Sequence, residues 1–88
     1  MAQENPEEEI GRVRDYFARI GVAGIDLTAP LRVGEEIRIK GHTTDFAQVV
    51  ESIQIEHEPV REAKAGDKIG IRVKERCRGG DHVYRLQD

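Results

Sequence analysis

Two stretches of the sequence determine the predicted fold. They are Leu31-Arg32-Val33-Gly34-Glu35-Glu36-Ile37-Arg38-Ile39-Lys40-Gly41 and Glu62-Ala63-Lys64-Ala65-Gly66-Asp67-Lys68-Ile69-Gly70-Ile71. In each stretch, aliphatic residues alternate with polar or small residues beside a glycine-containing turn. A period of two is typical of a strand with one buried face and one face in water. We therefore predict an all-β protein.

Further strands are predicted before the first stretch. Residues 10–27 show short apolar alternation that is broken by Gly21 and Gly24, which favours two adjacent strands with a tight reversal or bulges. A helix over residues 7–20 is the competing assignment. Gly11 and the β-branched and aromatic residues of this segment disfavour that helix.

The remaining strands follow from the same alternation. Residues 46–55 are expected to form a long hairpin with the strand that contains Val33, Ile37 and Ile39, with a bulge near Val50 because the apolar positions change phase there. Residues 82–86 are expected to form the final strand. The side chains predicted to point into the core include the aliphatic Ile69, Ile71 and Val73 and the aromatic Tyr16, Phe17, Phe46 and Tyr84.

About six short strands at this spacing favour a small closed six-stranded β-barrel, because closure removes the exposed edges of an open sheet. The chain has 88 residues and no Trp, so its core is expected to be small and aliphatic, with little room for a deep ligand cavity.

The first nine residues form a predicted flexible acidic leader, and residues 10–88 a single domain. The leader contains four glutamates and no basic residue, and removing their charges from the net charge of -3 leaves +1 for the rest of the chain. A nearly neutral domain argues against a protein that binds nucleic acid by charge alone.

The composition also predicts the compartment. Cys77 is the only cysteine, so no internal disulfide is expected, and the sequence shows neither an export leader nor an apolar stretch long enough to span a bilayer. We predict a cytoplasmic protein with no membrane association, either a monomer or a weak oligomer.

The sequence contains no motif typical of a nucleotide-binding, metal-binding or catalytic site. No glycine-rich loop with a Lys and a Ser or Thr opens a helix, so no nucleotide binding is expected. His42, His57, His82 and Cys77 are too scattered for a metal site, and Ser52, the one serine, has no exposing turn. We predict no catalytic residue, no metal and no cofactor, and hence a protein that is not an enzyme.

The best candidate contact surface is a row of cations. Arg72, Lys74, Arg76 and Arg78 occupy alternate positions, and alternate positions of a strand lie on one face, where cations can follow a phosphate backbone. The alternative is a solubilising outer face, which is favoured by Glu75 within the row and by the lack of an aromatic platform for stacking on bases.

The order of the segments resembles domain 2 of the translational GTPases, the family of elongation factor Tu and its archaeal and eukaryotic counterparts. The motifs that carry the likeness are Val33-Gly34-Glu35-Glu36-Ile37, Glu51-Ser52-Ile53-Gln54, His57-Glu58-Pro59-Val60 and Ala65-Gly66-Asp67-Lys68-Ile69-Gly70. The resemblance implies a closed Greek-key barrel of the translation-protein type that stands alone, without the GTPase domain.

The same resemblance implies a function. In that family, the position that matches Gln54 carries an acidic side chain beside the terminal adenosine of tRNA, and His57 falls where a basic or histidine side chain lies near the same end. Gln54 and His57 are therefore candidate contacts. The implied protein is a non-enzymatic binding module that contacts tRNA, another RNA, or a larger protein of translation or tRNA metabolism.

Two alternatives remain open at this point. Similar barrels close the C-terminus of collagenase-like peptidases, several of which resemble tRNA-modifying enzymes, so the chain could be a detached version of that barrel that acts as an adaptor in trans. Related barrels also bind flavins, which leaves a small ligand-binding barrel as the second alternative.

Overall fold

The computed structural model of the protein describes residues 7–86, apart from the side chain of Glu7. These residues form strands, turns and loops and no helix, which confirms the all-β prediction and excludes the alternative helix over the described part of residues 7–20. The strands are β1 (Glu7–Phe17), β2 (Val22–Leu27), β3 (Leu31–Arg32), β4 (Glu36–Lys40), β5 (Asp45–Val49), β6 (Ile53–Ile55), β7 (Glu58–Val60), β8 (Glu62–Ala63), β9 (Lys68–Arg72) and β10 (His82–Leu86).

Eight of these strands form one antiparallel sheet in the order β5-β4-β10-β1-β2-β9-β6-β7, and β3 pairs with β8 beside it. The end strands β5 and β7 do not pair with each other, so the sheet is open. The prediction of a closed six-stranded Greek-key barrel is therefore wrong. The edge strand β7 is three residues long and has Pro59 at its centre.

The sheet stays open because the chain changes partners at Val50. The predicted long strand over residues 46–55 ends at Val49 and restarts at Ile53, so the expected bulge near Val50 is instead a break between two strands. The Val50 N–H donates to the Glu35 carbonyl (2.8 Å), and the Val50 carbonyl accepts from the Gly34 N–H (2.8 Å). These bonds tie the break to the turn before β4, and the chain then continues as β6 beside β7 and β9.

The carboxamide of Gln48 joins the edge strand β5 to the end of β9. Its Nε2 donates to the Arg72 carbonyl and its Oε1 accepts from the Lys74 N–H, both at 2.8 Å. One side chain thus bonds two main-chain groups that a neighbouring strand would otherwise bond. Among the described strands, β5 and β9 are not joined by a ladder of main-chain hydrogen bonds, and the Gln48 amide links them instead.

The core follows the predicted alternation in the central strands. Ile37 and Ile39 of β4 are buried, as are Ile69 and Ile71 of β9 and Val73 after it, which confirms their predicted inward orientation. Two predictions fail at the edges of the sheet. Phe17, predicted in the core, ends β1 and is 50% exposed, and Val33, expected in one strand with Ile37 and Ile39, lies in the turn before β4 and is 41% exposed. Of the other aromatic residues, Phe46 is buried, whereas Tyr16 and Tyr84 are only partly buried.

Strand β1 begins at Glu7, three residues before the predicted start of structure at Ile10. Two register shifts, at Glu9/Gly11 and at Val13/Asp15, bend this long strand between β10 and β2. Glu9 Oε2 lies 2.6 Å from His82 Nδ1 on β10. Residues 7–9 of the predicted acidic leader pair with β10, and its residues 1–6 lie outside the described residues. The division into a leader and a single domain stays a prediction.

The Gln48 bridge leads to a stability prediction. We expect Gln48→Ala to lower the free energy of unfolding by about 1 kcal/mol, because the Arg72 carbonyl and the Lys74 N–H lose their partner. The measurement is urea unfolding followed by circular dichroism. Gln54→Ala is the matched control, since Gln54 is exposed and is expected to change stability by less than about 0.5 kcal/mol. Equal midpoints for the two variants would contradict the bridge.

Cys77 provides a prediction at alkaline pH. The thiol is 2% exposed, and burial, with a smaller effect from Asp81, raises its pKa from its ordinary value of 9.0 to about 11. The folded state therefore holds the proton more tightly than the unfolded state, and stability is lost as the pH rises from about 9 towards about 11. We expect Cys77→Ala to flatten this part of the pH-stability curve relative to the unmodified chain; identical curves would argue against a buried thiol.

Candidate functional site

A groove on the outer face of the sheet collects two of the predicted contact residues. We call it the outer groove; its volume is about 380 Å³. It is lined by Arg14, Phe17, Ile20, Val22, Gly24, Gln54, Glu56, His57, Lys68, Ile69 and Gly70. The predicted contacts Gln54 and His57 thus lie together, and their role in binding stays a prediction.

The register of the strands places the groove residues in rows. Gly24 of β2 pairs with Gly70 of β9, which in turn pairs with Gln54 of β6. Paired residues of neighbouring strands point to the same face of a sheet. Gly24 is buried, with Phe17 Cε2 3.7 Å from where its Cβ would lie, so the open floor is formed by Gly70 and ends at the Gln54 amide.

The two sides of this floor differ in chemistry. On one side are Phe17, Ile20 and Val22, of which Ile20 is 63% exposed. On the other side is Lys68, beside the ion pair of Arg14 Nε and Asp26 Oδ1 at 3.3 Å. One wall is therefore apolar and the other is charged, an arrangement suited to binding a partner by burial and hydrogen bonding.

His57 lies in a tight turn between β6 and β7. Ile55 pairs with Glu58, which leaves Glu56 and His57 as a two-residue loop with φ values of 52° and 69°. Positive φ at both positions is the geometry of a type I′ turn, which normally takes Asn and Gly. Two side chains that carry a Cβ are therefore held in a strained backbone at the edge of the outer groove.

The predicted row of cations is not a row in the structure. Strand β9 ends at Arg72, so Lys74, Arg76 and Arg78 follow in the loop before β10 and do not share a strand face with it. Arg72 and Lys74 line a neighbouring groove with Gln48. Arg76 and Arg78 are exposed, and the Arg78 N–H donates to Asp81 Oδ2 at 2.8 Å. The contact roles of these four cations stay predictions.

Sequence reasoning missed the apolar wall and the open floor. The sequence predicts a core position for Phe17, because aromatic residues are usually buried, and does not single out Ile20. It predicts a tight reversal or bulges at Gly21 and Gly24, whereas Gly24 lies within β2. Its position opposite Gly70 depends on strand pairing between distant segments, which a single sequence does not display.

Within residues 7–86, no three His, Cys, Asp or Glu side chains lie close enough together to hold a metal ion. None of the described residues forms a helix with the length and hydrophobicity needed to cross a membrane.

Comparison with known proteins relates the sequence to peptidases. No protein-family model matches the chain. The chain is 41% identical over 81 residues to an uncharacterized protease of Methanocaldococcus jannaschii, a match that covers 91% of this chain and 20% of that protein. It is also 41% identical over 79 residues to a collagenase of Porphyromonas gingivalis, with coverage of 88% and 22%. The chain thus spans about a fifth of the length of these relatives.

Solved structures share the fold. The C-terminal domain of a Geobacillus thermoleovorans protein assigned to the U32 peptidases superimposes with a TM-score of 0.85 at 23% identity, covering 91% of this chain and 93% of that domain. Its selenomethionine variant gives a TM-score of 0.82 at 24% identity, covering 86% of this chain and 96% of that chain.

These similarities do not support the resemblance to the translational GTPases. The similar proteins are a protease, a collagenase and a U32 peptidase domain, so the assignment to domain 2 of the translational GTPases is wrong. The prediction that the chain is not an enzyme is also contradicted, because its relatives are named as peptidases. Turn motifs such as Gly34-Glu35 and Gly66-Asp67 are too short to distinguish one family of small sheets from another.

The strained turn gives a further prediction. Replacing Glu56-His57 by Asn-Gly is expected to raise the free energy of unfolding by about 1 kcal/mol, because the new residues adopt positive φ at lower cost. The measurement is chemical unfolding of the double variant. Thr43→Gly, in a turn where Thr43 has no positive φ, is the control and is expected to lower stability by about 0.5 kcal/mol or more. A loss of stability in the Asn-Gly variant would contradict the strain.

Proposed function

We propose that this chain is the β-domain of a collagenase-like peptidase of the U32 type, and that it supports the hydrolysis of polypeptides. It does so together with the larger peptidase portion, either within one polypeptide or in trans. The observation that carries the proposal is the 41% identity to the Porphyromonas gingivalis collagenase over 88% of this chain.

The fold supports the same proposal. The chain and the C-terminal domain of the U32 peptidase superimpose over nearly their whole lengths, so this part of such a protein can form a domain with its own core. Domains of this size fold separately and contact their neighbours through surface patches. We therefore expect this chain to form the same domain that the matched segment forms in such a peptidase.

The test is a domain exchange in the Porphyromonas gingivalis collagenase. Its matched segment is replaced by residues 7–86 of this chain, and the hydrolysis of collagen is measured beside the parent enzyme. We expect the chimera to retain at least about a tenth of the parent kcat/KM, because the exchanged segments are 41% identical. A tenfold loss corresponds to about 1.4 kcal/mol of transition-state stabilisation.

Two controls give the result its meaning. In the first, the matched segment is deleted; in the second, it is replaced by an unrelated small β-domain. Both are expected to lose more than about 1.4 kcal/mol of transition-state stabilisation, and so more than tenfold in activity. Full activity after deletion, or equal activity with the unrelated domain, would contradict the proposed function.

A further inference from the structure

The open floor of the outer groove is Gly70, and Gly24 lies buried beside it under Phe17; the fold itself requires glycine at neither position. Neither Gly24 nor Gly70 has a positive φ. A Cβ on Gly24 would lie 3.7 Å from Phe17 Cε2, and one on Gly70 would lie 3.4 Å from Val22 Cγ1, both ordinary van der Waals distances. Glycine weakens a strand interior and often marks a place where another backbone approaches closely.

The dimensions of the floor favour an extended chain. Residues two positions before and after the glycines belong to the flanking rows, so Val22 and Asp26 on β2 lie four residues apart, about 13 Å along the strand. The side chains of the flanking rows make the groove narrower than this distance. The remaining width accommodates one extended segment better than a helix, which is about 10–12 Å across with its side chains.

The chemistry of the walls defines the segment further. Phe17, Ile20 and Val22 can pack against apolar side chains along one edge of a bound segment. The Gln54 amide, at the end of the floor, can hydrogen-bond to main-chain groups of that segment. Lys68 lies opposite Asp26 in the register of β2 and β9 but forms no ion pair within 4 Å among residues 7–86, because Asp26 is paired with Arg14. A carboxylate of the segment opposite Lys68 would complete the match.

We propose that the outer groove is the docking site for an extended segment of the peptidase portion, apolar on one edge and acidic on the other, with a small side chain above Gly70. This inference rests on the proposed function and names the surface through which it operates. Two features favour a resident partner over a passing substrate. About four-fifths of each relative lies outside the matched region, and Phe17 and Ile20 are half exposed or more, so a lasting cover keeps this apolar surface out of water.

The test measures the solvent exposure of individual side chains by hydroxyl-radical footprinting, with no substrate present. It compares the free 88-residue chain with the full-length collagenase chimera described above. We expect the modification rates of Phe17 and Ile20 to fall at least fivefold in the chimera. Val33, which is 41% exposed outside the outer groove, is the internal control and should change less than twofold.

Gly70→Val fills the floor and separates docking from folding. In the free chain we expect its melting temperature to stay unchanged or to rise, because valine favours strands. In the chimera it should restore the modification of Phe17 to within twofold of the free chain. Ile20→Asp is a second variant, which acts on an exposed wall if valine disturbs the sheet, and Val33→Asp is its matched control.

Each outcome decides the proposal. Protection of Phe17 without substrate that is lost in Gly70→Val or Ile20→Asp, but kept in Val33→Asp, supports docking. Equal modification in chimera and free chain overturns it, and so does protection that appears only after collagen is added, which would assign the groove to substrate. Because footprinting does not depend on activity, an active chimera with an unprotected groove rejects the docking site alone, whereas an inactive chimera with a protected groove rejects the proposed function alone.

Discussion

The architecture depends on the change of strand partners at Val50. Its N–H and carbonyl bond to Glu35 and Gly34, which satisfies the main chain at the point where it leaves one strand pair and enters another. A buried backbone group without a partner costs free energy comparable to a lost hydrogen bond. Because both groups of Val50 are hydrogen-bonded, β5 can end without leaving a buried main-chain group unpaired. The Gln48 amide then connects the edge strand β5 to the end of β9.

The outer groove follows from this rearrangement. Once the chain has left β5, β6 pairs with β9 through Gln54 and Gly70, and this pairing extends the row that begins at Gly24. The turn at Glu56-His57 then projects beside the same row. If residues 46–55 had continued as one strand in the β4–β5 register, Gln54 would have lain opposite Leu31 and not beside Gly70.

Local features of the fold could be predicted from the sequence, and its closure and site could not. The alternation around Ile37 and Ile69 reports which face of a strand is buried, because that depends on near neighbours. The break at Val50 depends on the Glu35 carbonyl, which accepts from it, and the Gly34 N–H, which donates to it, both in a turn some fifteen residues earlier. The exposure of Phe17 depends on which segment packs against it. The resemblance that points to Gln54 and His57 is to the wrong family. These two residues lie close together because β6 pairs with β7 and β9.

The open sheet has one more consequence, which concerns unwanted self-association. An unpaired strand edge can recruit another copy and grow into aggregates. Pro59 sits at the centre of the three-residue strand β7, and proline has no N–H to donate to an incoming strand. The short length and the missing donor make this border of the sheet a poor template for polymerisation.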